Sequence, residues 1–215
     1  MNPTPSARRP SRRPFRAAAL AVAAALAAAL TAFAVTAPAQ ATTTSTSTST
    51  TTSTSTCGIT WGSLAKHGSA TGPVRGALLS NVRAGQQACY DRLVIDIRGV
   101  RAMNSWHVAY VPQVIQDPSG RPVPLRGRAF LQISMGASDH TPSGTLTYSP
   151  PNRRELVNVT GFRTFRQVAW AGSFEGMSQI GLGVRARLPF RVFTMTGIPG
   201  STNGTRVVID VAHSW

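Results

Sequence analysis

The chain has 215 residues and a formal net charge of +15, from 22 basic and seven acidic side chains. Five of those charges precede residue 17, so +15 less five leaves +10 on residues 57–215, a stretch long enough for one domain with a real core. Such a charge attracts polyanions at long range, and the export signal at the start of the chain excludes nucleic acid as the polyanion.

That signal begins with Arg8, Arg9, Arg12, Arg13 and Arg16. An Ala/Leu/Val run over 17–35 follows, then Ala37-Pro38-Ala39-Gln40-Ala41, which contains two small-x-small cleavage sites. A basic, then apolar, then small-residue order predicts a secretory signal peptide over 1–41. Ser11-Arg12-Arg13-Pro14-Phe15-Arg16 resembles the twin-arginine export motif, with arginine at 16 where that pattern has leucine. The twin-arginine and general routes both remain open. The apolar run also approaches the ~20 residues of a spanning helix, so cleavage and retention as an anchor are both open, and membrane contact is expected only with retention. An unbroken Ser/Thr tract over 42–56 predicts a disordered linker with a reach of roughly 20 Å. Localisation is therefore extracellular or at the cell envelope.

The domain expected over 57–215 opens at Cys57, and the other cysteine is Cys89. In an oxidising compartment, with no Cys-x-x-Cys spacing, the pair predicts one structural disulfide. Closing a loop of that size stabilises the fold by roughly 3–4 kcal/mol in the chain-entropy model.

Period-two apolar patterns bounded by Gly, Pro, Asn and Ser recur from here onward, with no long 3.6-residue period. They predict strands over 92–98, 106–111, 129–135, 155–160, 163–170, 181–187, 190–195 and 206–212. Asp117-Pro118-Ser119-Gly120 predicts a type I turn. Residues 135–152 read as a long excursion with a short strand at 145–148, and Gly181-Leu182-Gly183 as a β-bulge. The fold class is all-β: a single sandwich or open barrel of about seven to nine mostly antiparallel strands.

Two of these strands are near copies, Arg92-Leu93-Val94-Ile95-Asp96-Ile97 and Arg206-Val207-Val208-Ile209-Asp210-Val211. Each has one wholly apolar face and an opposite face of Arg, Val and Asp. Antiparallel pairing with residue numbers summing to 302 sets Arg92 against Asp210 and Asp96 against Arg206, forming both charge pairs. Parallel pairing in register opposes like charges, which is unfavourable.

Pro189-Phe190-Arg191-Val192-Phe193-Thr194-Met195, Pro199 and the 206–211 strand resemble the close of AMIN domains, β-sandwich modules attached to bacterial cell-wall amidases and secretion proteins. Cys89-Tyr90-Asp91-Arg92-Leu93-Val94, Val108-Ala109-Tyr110-Val111, Leu125-Arg126-Gly127-Arg128-Ala129-Phe130-Leu131, Phe174-Glu175-Gly176 and Asp210-Val211-Ala212-His213 extend the resemblance to the AMIN-like family over 74–213. Six residues, 200–205, lengthen a hairpin that is usually tight in the family, and the lipid-anchor cysteine of many relatives is missing. The resemblance implies non-catalytic binding at the envelope, with peptidoglycan or a teichoic-acid-type polyanion as ligand.

No catalytic set emerges. His67, His107, His140 and His213 lack metal-ligand spacing, and no cofactor motif is present. Of the seven acids, Glu175 alone lacks an evident structural reason, so it is a ligand-binding candidate. Glu175 with one aspartate is also the basis of an alternative reading, an enzyme acting on envelope glycans. Tyr148 and the paired Arg153 and Arg154 form the best exposed binding candidates, the aromatic for stacking on sugars and the arginines for a carboxylate or phosphate. A third reading is a module that pairs a sheet edge with another exported protein.

Overall fold

In the computed structural model the described residues are 57–215; the expected signal peptide and Ser/Thr linker lie outside them. The described part is all-β, with eleven strands, of which three are two-residue pairs. β1 (Lys66–His67), β4 (Trp106–Val111), β7 (Ala129–Met135), β9 (Met177–Val184) and β8 (Phe165–Phe174) form a five-stranded sheet in the order β1-β4-β7-β9-β8. β10 (Phe190–Ile198), β11 (Ser201–Ala212), β3 (Tyr90–Arg98) and β2 (Leu78–Gln86) form a four-stranded sheet in that order. β5 (Ile115–Gln116) and β6 (Arg121–Pro122) make a separate ribbon. All pairings between named strands are antiparallel.

The core lies between the two larger sheets. Alternation sends Leu93, Ile95 and Ile97 of β3 and Val207, Ile209 and Val211 of β11 inward, where all are buried. They meet Leu131, Ile133 and Met135 of β7 and Ile180, Leu182 and Val184 of β9 in one apolar cluster. Burying each of these aliphatic side chains stabilises the fold by roughly 1.5–3 kcal/mol relative to leaving it in water.

β3 and β11 pair antiparallel in the register that sums to 302, with Arg92 opposite Asp210, Val94 opposite Val208 and Asp96 opposite Arg206. Arg92 holds Asp210 through Nε at 2.6 Å. Asp96 instead takes both Nε and Nη2 of Arg83 on β2 at 3.0 Å. The expected Asp96–Arg206 pair is thus replaced, because a third strand supplies an arginine that meets the carboxylate two-pronged; Arg206 turns to the Thr196 carbonyl at 3.2 Å.

Several boundaries differ from expectation. Residues 155–160 are loop, since Val159 buries its side chain without a strand partner. β9 is continuous through Gly181–Gly183, and the register shifts fall in β8 instead, at Phe165/Gln167 and Trp170/Gly172. Residues 145–148 make only a single bridge, His140 to Leu146. The Asp117–Pro118 bond is cis, where a type I turn takes it trans. Residues 201–205 join β11, leaving a tight turn at Pro199-Gly200 with Ile198 opposite Ser201. Extra residues therefore lengthened the strand and not the loop.

Candidate functional site

The outer face of the five-stranded sheet is roofed by the chain from 112 to 128, which carries the β5–β6 ribbon. Room for this roof comes from two glycines of β9. A Cβ on Gly183 would lie 1.9 Å from the Arg126 carbonyl oxygen, and one on Gly181 would lie 2.8 Å from Leu125 Cδ1. Three glutamines on the same face fasten it. Gln132 Oε1 accepts from the Ile115 N–H at 3.2 Å, Gln167 Oε1 accepts from the Arg126 N–H at 2.7 Å, and Gln179 donates to the Asp117 carboxylate.

Between this roof and the 153–155 segment lies a groove of about 570 Å³. Its lining includes Leu125, Arg126, Arg153, Arg154, Glu155 and Trp170. Gln167 spans it from below, donating to the Arg154 carbonyl at 2.8 Å, while the Trp170 N–H donates to the Arg153 carbonyl at 2.7 Å. The 153–154 backbone is thereby pinned to β8. Arg126 is committed to Glu155, with contacts of 2.5 and 3.1 Å, and that bond raises the pKa of its guanidinium. Arg153 and Arg154 are exposed, and among the described residues neither guanidinium has a hydrogen bond or carboxylate partner.

The other expected site residues fall in different places. Tyr148 is 9 % exposed, not a free stacking surface; its ring tilts against Trp170 at 5.5 Å between centroids. It backs the groove wall because the 135–152 excursion folds onto the core. Burial pushes its phenol up to about 12. Glu175 is exposed at the β8–β9 turn with φ 48°, next to Gly176 at φ 77°, and does not line the groove. Two successive positive φ angles mark the tight hairpin turn that suits the twist of the flanking strands. Cys57 and Cys89 are joined, with Cα atoms 5.8 Å apart.

Two arrangements escaped sequence reasoning. Asp91, fully buried at the start of β3, accepts from the N–H groups of Thr164 and Phe165 at 2.6 and 2.9 Å. Its other oxygen meets His213 Nε2 at 3.0 Å, so one carboxylate ties the two sheets and the chain end together. The second is an arginine–aromatic layer outside the four-stranded sheet. Arg191 lies 4.5 Å from the Trp61 ring and Arg92 5.2 Å from Tyr90, and both arginines grip Asp210. Hydrogen bonding to Asp210 raises the Arg92 pKa. The triplet Tyr90-Asp91-Arg92 in sequence does not say which partners a fold will bring.

Among the described residues no three His, Cys, Asp or Glu side chains gather as a metal site. A family model for the AMIN-like domain matches residues 77–213. The chain belongs to the AMIN-like domain family. No curated protein and no solved structure matches it. The AMIN-like domain is related to the AMIN domains of cell-wall amidases and is typically a non-catalytic module. Its match spans β2 through β11 and contains the whole groove, while Cys57 and β1 lie ahead of it. The disulfide and the AMIN-like assignment fit an exported protein.

Proposed function

We propose that this AMIN-like domain is a non-catalytic binding module of the cell envelope, holding a cell-wall polymer, peptidoglycan or an associated polyanion, in the groove at Arg153 and Arg154. The observation that carries the reading is the pair of uncommitted guanidiniums on a backbone pinned to β8. Two planar donor forks side by side suit carboxylates or phosphates spaced along a chain. The nearby Arg126–Glu155 pair keeps the third arginine of the groove occupied, so recognition concentrates on two positions. Trp170, backed by Tyr148, adds an apolar wall beside them.

The test is co-sedimentation of the protein with purified wall sacculi, with and without teichoic acid, at low and high salt. Replacing Arg153 and Arg154 together by glutamine is expected to weaken pelleting at least tenfold, from about 1 kcal/mol or more per charge-assisted contact. Salt-resistant pelleting on stripped sacculi identifies peptidoglycan as the ligand. Pelleting that needs teichoic acid and low salt identifies the polyanion. No pelleting under any condition, or pelleting that the double substitution leaves intact, overturns the reading.

A further inference from the structure

One end of the sandwich collects arginines that are far apart in sequence. Ala129 and Phe165 both stand opposite Val184, and Arg185 N–H donates to the Thr164 carbonyl at 2.9 Å. Those pairings bring Arg128, Arg163 and Arg185 to one rim, and all three are exposed. Arg187 continues the rim, its guanidinium 5.0 Å from the Tyr110 ring and bonded to the Ser63 carbonyl at 3.0 Å. The acids at this end are all engaged: Asp91 with His213, Glu155 with Arg126, and Asp210 with Arg92 and Arg191. The side-chain charges left free on the rim are therefore all positive.

Two large apolar side chains stand out of that field. Trp215 is 74 % exposed and Leu64 is 77 % exposed. Both are tied to Arg187. Trp215 Nε1 donates to the Arg187 carbonyl at 3.0 Å, and Leu64 follows Ser63, whose carbonyl accepts from Arg187. The indole ring is thus held by its polar edge with its apolar body outward, an arrangement that pays off where one side is wet and the other apolar. The disulfide also brings Cys57 to Cys89 beside this rim, where the His213 N–H donates to the Cys89 carbonyl at 2.9 Å.

We propose that this end docks on an anionic lipid surface, with Trp215 and Leu64 entering the headgroup layer and Arg128, Arg163, Arg185 and Arg187 facing lipid phosphates. An apolar pair alone would suit any hydrophobic partner; a ring of uncompensated guanidiniums around it selects a surface of dense negative charge. None of the six proposed lipid-facing residues lines the Arg153–Arg154 groove, so the domain can lie on the membrane and hold wall polymer together.

The test uses the full chain with vesicles of phosphatidylglycerol and phosphatidylcholine, against vesicles of phosphatidylcholine alone. Binding by the apolar 17–35 run is common to both, and any anionic preference from the arginines at 8–16 is common to parent and variants, so the comparison of variants decides. Affinity is expected to be higher on the anionic vesicles and to fall with salt. Arg128→Gln with Arg163→Gln, two side chains without other partners, lowers that preference by roughly fivefold per arginine. Lipids carrying a nitroxide quench a tryptophan signal that Trp215→Tyr abolishes. Arg153→Gln with Arg154→Gln leaves vesicle binding within about twofold while removing wall pelleting, which separates this proposal from the groove. Equal binding to both vesicle types, or quenching that survives Trp215→Tyr, overturns it. A dimer in solution that Trp215→Tyr dissolves overturns it too, since a second copy would then be the occupant.

Discussion

Asp91 carries a heavy structural load for a single polar side chain. It satisfies two buried backbone N–H groups at the start of β8 and orients His213. Asp91→Ala strands both donors, so a loss of about 2–5 kcal/mol is expected in urea denaturation, with Asp91→Asn losing about half as much. Tyr148 gives the pH dependence. Its phenol ionises near 12 in the folded protein against an ordinary value near 10. The folded state therefore keeps the proton longer, and the contribution is fully present below pH 10 and is lost as pH rises to 12. Burial also raises Tyr110, so the diagnostic readout is the step near 12 in ultraviolet titration that Tyr148→Phe removes; a Tyr148→Phe titration identical to the parent's contradicts the buried placement.

At the scale of elements, the roof over the five-stranded sheet depends on Gly183. Any Cβ there meets main chain, not a movable side-chain tip. Gly183→Ala is expected to cost about 1–3 kcal/mol and to weaken wall pelleting with Arg153 and Arg154 untouched, because the 112–128 segment must lift. Gly58→Ala, where nothing lies within 4 Å, serves as the control and should stay within about 0.5 kcal/mol. What could be read from sequence follows the same physics. β3, β4, β7 and β11 alternate cleanly because one face is core, and the charge pattern of β3 and β11 even specifies their register. β2 was missed because the register shift between Leu79 and Asn81 puts Ser80 out of step and breaks the alternation. Gln132, Gln167 and Gln179 look like solvent-facing strand residues; only the fold reveals that a loop lies on them. Arg153 and Arg154 were legible as a pair, whereas the burial of Tyr148 depends on contacts with Trp170, 22 positions away in the chain.

Over the whole molecule, charge is distributed by topology. Arg128, Arg163, Arg185 and Arg187 look scattered along the chain and become neighbours because strand ends meet at one rim. The groove and the rim are then two basic patches of different chemistry, one built of uncommitted forks beside Trp170 and the other of arginines around exposed Leu64 and Trp215. Under the two binding proposals, one AMIN-like domain addresses two envelope components.

The Cys57–Cys89 bond has a mechanical consequence. Tension applied to the chain ahead of residue 57 passes through the two sulfurs directly into the start of β3. Residues 58–88, including β1 and all of β2, sit inside the covalent loop and carry none of it along their own backbone. β3 lies between β2 and β11, so the force is met by two ladders of hydrogen bonds. A protein pulled by growing or flowing surroundings would keep its groove shaped until those ladders fail together.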